Sequence, residues 1–233
     1  MDVFGFLKLR LDFIRQLHER SCAPFVLIKQ QIEDEVPPYE PPYTEDGEPP
    51  FLGEWLEADE SIQALGYACI SMLAASLQLF LKTWEKELGK PVQPQYKALF
   101  KKKGWMNGYR QYFIDILGID YANAPIKMIR LEEIVRARNI VQHPDFISSN
   151  MVSFTDDDLK VLQEPFLSSE VDRRMSRSFS SEGRWFLPLN LHVPPEKFMI
   201  ALNDVARFAA WLDENIYDVL GWNQPNQRLE SDA

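Results

Sequence analysis

Two cysteines in 233 residues, Cys22 and Cys69, both in apolar helix-like runs with no ligand-spaced neighbour, give no material for a disulfide framework or a zinc site. That usage suits a reducing compartment, and a cytoplasmic protein is expected. Long hydrophobic runs are missing too. The longest nearly apolar stretch, residues 67–81, contains Ser71, Ser76 and Gln78 and is shorter than the roughly 18 to 20 residues that span a bilayer. Residues 1–4 carry none of the basic character that opens a secretory signal. The expectation is therefore a soluble chain with no membrane partner, and no residue pattern calls for a metal or an organic cofactor. Histidine is scarce, with three imidazoles in the chain. Basic residues are absent from residues 31–60, which hold eleven acids. The net charge of -10 is thus one local segment, because the rest of the molecule holds 25 basic residues against 24 acidic ones. Charge alone neither requires nor excludes RNA as a ligand of that remainder.

What the chain does have is apolar residues at helical spacing. Hydrophobic residues make up 45% of the sequence, enough for one sizeable core. Phe4, Leu7, Leu11, Ile14 and Leu17 step by three and four, predicting an amphipathic helix that continues past Pro24 as one bent element or two collinear ones. Three Pro-Pro pairs at 37–38, 41–42 and 49–50 exclude regular helix there. We read residues 31–58 as an acidic, proline-rich linker, with an arm that mimics phosphate or docks a partner as the other reading. Asp59 is expected to cap a long core helix running to about Leu88, with Gly89 and Pro91 as its stop. Two shorter helices follow, one ending at Gly104 and one at Gly118. Lys97, Lys101, Lys102, Lys103 and Arg110, with Trp105 and Tyr109 interleaved, form the strongest basic patch. Such a mixture can hold a sugar-phosphate backbone, and a solvated helix end accounts for the same residues.

Asn123 as cap and Pro125 in the first turn predict a helix over 124–143. It has two apolar sides, a broad one with Ile126, Ile129, Ile134, Ala137, Ile140 and Val141 and a narrower one with Met128, Leu131 and Val135. One side can serve the chain's own bundle and the other a second subunit, so a homodimer through this helix is expected. Residues 145–193 show no sustained helical period. They read as an irregular, partly extended insertion with strands at 150–154 and 185–193 and a capped helical turn at 155–158. A last helix is expected from Pro194-Pro195 to about Leu220, and residues 223–233 read as a tail. The whole is an all-α bundle, with 1–222 as a single domain.

The helix over 124–143 ends in Arg136-Ala137-Arg138-Asn139-Ile140-Val141-Gln142-His143-Pro144. Guanidinium grips phosphate oxygens with a forked donor pair, and imidazole can gain or lose a proton near neutral pH. Glu132, Arg136, Asn139 and His143 lie on one seam, whereas Arg138 projects roughly 140° from His143 on a regular helix. Pro144 opposes regularity at His143. Without any substrate, the arginines can pair with Glu132 or Glu133 and His143 can cap the helix end.

Arg138-Asn139, three residues, then His143, near a helix end in an otherwise helical chain, resembles the Arg-x(4-6)-His signature of the HEPN superfamily, with Arg136 also in register. The resemblance covers the motif and the helix order. It implies a HEPN-like bundle and metal-independent endoribonuclease activity, in a toxin or phage-defence setting, with an active site drawing on two subunits. Arg138, Asn139 and His143 are then the catalytic residues, and Arg136, Lys101, Lys102 and Lys103 the substrate-binding ones. RNA and an antitoxin or other neutralising protein are the implied partners. The toxin branch paired with a nucleotidyltransferase often carries a Tyr two places after the His, where this chain has Asp145. The competing function is a non-catalytic HEPN-like homodimer that binds RNA, nucleotide or protein without cutting.

Overall fold

A computed structural model of the chain describes residues 1–42, 49–144, 150–178 and 189–222, with side chains of the third segment described to Met175. Seven α-helices run through these residues: α1 (Val3–Glu33), α2 (Leu52–Glu87), α3 (Pro94–Leu117), α4 (Met128–Gln142), α5 (Asp156–Leu162), α6 (Glu170–Ser178) and α7 (Pro195–Val219). The all-α bundle expected from the periodicity is what the chain forms.

α1 passes through Pro24 as one helix. Its inward stripe is Val3, Leu7, Leu11, Ile14, His18 and Cys22, so Leu17 faces out and His18 takes the core place beside it. The imidazole of His18 stacks on Phe198 with ring centroids 4.2 Å apart, and burial lowers its pKa. α2 runs antiparallel to α1, as the ties Met1–Glu87, Arg10–Ser76 and Lys29–Asp59 record. It is long and apolar enough to cross a membrane, but Ile70, Leu73, Ala74, Leu77, Leu81 and Trp84 are fully buried in the bundle. α7 packs on both α1 and α2, and α4 packs on α2 and α7.

The start of α2 corrects the sequence reading. The helix begins at Leu52, and Asp59 lies inside it, ion-paired to Lys29 rather than capping anything. Trp55 donates from Nε1 to Glu33 at 2.8 Å and lies under the Lys29 ammonium, so the end of α1 holds the extra turns of α2 in place. The connection between α1 and α2 is therefore 34–51 rather than 31–58, and its residues 43–48 lie outside the described set.

The breaks at Gly104 and Gly118 are where glycine was expected to put them. Gly104 holds φ 81° and ψ 157° in the middle of α3, and Gly118 ends that helix in the left-handed region. α4 departs from expectation at its start: Asp120 accepts from the amide of Ala122 and draws residues 121–123 into a 3-10 turn of their own, so Asn123 caps nothing. Helix resumes only at Met128, leaving Pro125 in the connection.

Two helices occupy the supposedly irregular insertion. α5 has the expected cap, a reciprocal pair between Thr155 and Asp158. α6 was invisible because Glu170-Val171-Asp172-Arg173-Arg174 has almost no apolar stripe to reveal a period. The described parts of the extended stretches meet, through an antiparallel bridge between Ser153 and Asn190 flanked by Phe154 N–H to Leu189 O and Leu191 N–H to Val152 O, while residues 185–188 lie outside the described residues. α2 fastens this segment at three points. Gln63 accepts from Val193 N–H, Tyr67 donates to Leu191 O, and Gly66 lets the Val193 carbonyl approach where a Cβ would lie 2.2 Å from it.

Candidate functional site

α4 and its C-cap carry six charged or imidazole side chains, Arg130, Glu132, Glu133, Arg136, Arg138 and His143, and the fold separates them by role. Arg130 pairs with Asp204 of α7 at 2.9 Å and lies over the ring of Phe166. Glu133 is buried and accepts two backbone N–H groups, from Phe166 at 3.1 Å and Leu167 at 2.6 Å. Burial pushes its carboxyl up to about 7, against the pull of those amides and of nearby Arg130 and Lys197.

Arg136 is engaged on both sides. Its Nε and one terminal nitrogen reach Glu132 Oε1 at 3.2 and 2.9 Å, and the other terminal nitrogen reaches Asp158 Oδ1 at 2.8 Å. Asp158 is also the partner of Thr155 in the cap of α5, so Arg136 ties α4 to α5. Glu132 and Asp158 thus engage all three nitrogens of the guanidinium expected to grip substrate.

Arg138 differs. It leaves the helix on the side of Leu131 and Ile134, half-buried, with its Nε shielded from solvent and without a hydrogen-bond partner. No carboxylate among the described residues pairs with it. Asn139 and His143 are exposed. The backbone N–H of His143 closes the helix onto Asn139 O at 3.1 Å, and its φ of -132° and ψ of 64° leave the helical region, as a residue before proline should. The imidazole ring makes no hydrogen bond to a described residue and is open to solvent. The end of α4 thus presents an exposed imidazole and, on the flank, a half-buried arginine with no partner among the described residues. Asp145 lies outside the described residues.

Leu131 and Val135 of the narrower apolar side of α4 and the middle of the broad one are buried within the same chain, whereas Ile129 of the broad side is 37% exposed and Ile126, Ile140 and Val141 are half-buried. Leu131, Ile134 and Ala137 are 0% exposed and Val135 is 6% exposed. Leu131 and Val135 of the narrower side belong to the chain's own core, which leaves Ile129, the half-buried Ile126, Ile140 and Val141, and the exposed Asn139 and His143 as the open part of this helix.

The basic patch is partly dismantled. Lys101, Lys102 and Lys103 are exposed at the end of the first segment of α3, and no hydrogen bond or ion pair among the described residues links them to α4. Tyr109 is 1% exposed and donates to Glu85 at 2.8 Å, so it offers no face to a base. The chain brings together a second polar group that its sequence gave no sign of. His192, Asp59, Glu60, Gln63 and Asn190 line a cleft between α2 and the 189–193 segment. No cluster of His, Cys, Asp and Glu suited to a metal ion occurs among the described residues. The chain matches no family model, no curated protein and no solved structure.

Proposed function

We propose that the protein is a HEPN-type endoribonuclease that cuts RNA without a metal, in a toxin or phage-defence role. The observation that supports this most is the contrast between two arginines on one helix. Arg136 is held by two carboxylates, whereas Arg138, the residue in motif register with Asn139 and His143, has no partner among the described residues, and His143 on the same helix end is exposed.

In the proposed reaction the ribose 2′-hydroxyl attacks the adjacent phosphorus, the bond to the 5′-oxygen breaks, and a 2′,3′-cyclic phosphate forms. One proton leaves the 2′-oxygen and one arrives at the 5′-oxygen, so no water is consumed. His143 carries one of these protons. Arg138 neutralises charge on the pentacoordinate phosphate, and Asn139 orients the imidazole or a phosphate oxygen. Arg136 acts only by holding the helix end in place. Lys101, Lys102 and Lys103 contribute through long-range attraction to the RNA backbone.

A binding module that holds RNA without cutting is the second reading, favoured by how few free cations α4 retains once Arg130 and Arg136 are paired. Incubating purified protein with RNA in chelator separates the two. Cleavage that His143→Ala and Arg138→Ala each abolish, with helical content unchanged, supports the nuclease. Binding without cleavage supports the module.

A further inference from the structure

α1 has a second stripe that its own bundle does not use. Starting at its N-cap, Asp2, Phe6, Leu9, Phe13, Gln16 and Arg20 recur at alternating spacings of four and three, and all six are exposed. An apolar repeat averaging 3.5 residues is the seam of a helix pair. Its apolar members stand well out of the surface, with Phe6 58%, Leu9 67% and Phe13 60% exposed, and Leu79 of α2, 47% exposed, extends the patch beside Phe6.

The two ends of the seam carry opposite charge. Asp2 and Arg20 each make no ion pair with a described residue. In an antiparallel pair, the register that sets Leu9 against Phe13 of a second copy also sets Asp2 against Arg20 of that copy, at both ends. A parallel pair would set aspartate on aspartate and arginine on arginine. Asp12, near the two-fold axis of the antiparallel pair, is already neutralised by Arg15 at 3.0 Å.

We propose that this face of α1 is a homodimer interface, packed antiparallel against the same face of a second copy. The exposed apolar side chains offer on the order of 500 Å² per copy, so two copies cover about the 1,000 Å² that a specific interface needs. The proposal stands apart from the nuclease reading, because it concerns a surface other than α4.

Sedimentation of the full chain tests it. A micromolar dimer is expected, with Leu9→Glu and Phe13→Glu each raising the dissociation constant by more than about tenfold while circular dichroism stays unchanged. Asp2→Arg and Arg20→Asp each weaken the dimer, and the double variant restores it. Asp2 also caps α1 by accepting the Gly5 N–H at 2.7 Å, so the double variant melts lower while its dimer constant recovers. A monomer at every concentration overturns the proposal, as does a dimer indifferent to Leu9→Glu or a double variant no tighter than the single ones. Binding of the monomer to lipid vesicles through Leu9 and Phe13, with no self-association, also overturns it and assigns the face to a membrane.

Discussion

Arg136 and Arg138 stand two positions apart on α4, yet substitution of each should fail in a different way. Removing Arg136 leaves Glu132 and Asp158, whose side chains are 18% and 11% exposed, facing each other without a cation. Arg136→Ala should lower stability by about 2 kcal/mol, read as a shift in the urea midpoint. Arg138→Ala should leave that midpoint within about 0.5 kcal/mol and act on RNA alone. Glu133 gives a third signature. Its two carboxylate oxygens each accept an amide, so Glu133→Gln turns one acceptor into a donor facing N–H and should cost about 1 to 3 kcal/mol. Because burial raises its carboxyl from 4.5 to about 7 in the folded state, the folded protein binds that proton more tightly than the unfolded chain. The stability this contributes is full below about pH 4.5 and is lost as pH rises through about 7. Wild type should therefore lose stability relative to Glu133→Gln across that interval, which denaturant titrations at several pH values would show.

At the scale of elements, what could be read from the sequence was what local chemistry dictates. Glycine at 104 and 118 ends helices because only it adopts those backbone angles cheaply, and Thr155 with Asp158 marks the start of α5 wherever that helix lies. Elements set by distant contacts were misread. α2 starts early because Lys29 and Glu33, more than twenty residues away, hold its first turns. α6 has only Val171 and Met175 to mark an apolar side, and Glu133 accepts amides of 166–167 that arrive from elsewhere. The candidate site was legible as a motif, but not the division between a paired Arg136 and an unpaired Arg138, since Asp158 joins it from another helix. Gly66 belongs to this same class. Gly66→Ala puts a methyl on the Val193 carbonyl, a backbone atom that cannot rotate away, and should cost about 2 kcal/mol in the urea midpoint.

At the scale of the whole molecule, the bundle of long helices leaves exposed, among its described residues, the imidazole end of α4 and the outer stripe of α1. On α4 itself, Arg130, Glu133 and Arg136 are matched by partners from α7, the 166–167 backbone and α5, whereas Arg138 is not. The functional account rests on His143 moving a proton at a phosphodiester. The most direct measurement is the chemistry of the RNA ends after incubation in chelator. The account predicts fragments ending in 2′,3′-cyclic phosphate opposite 5′-hydroxyls, formed by wild type and absent with His143→Ala. Intact RNA with wild type, or the same fragments with His143→Ala, would contradict it.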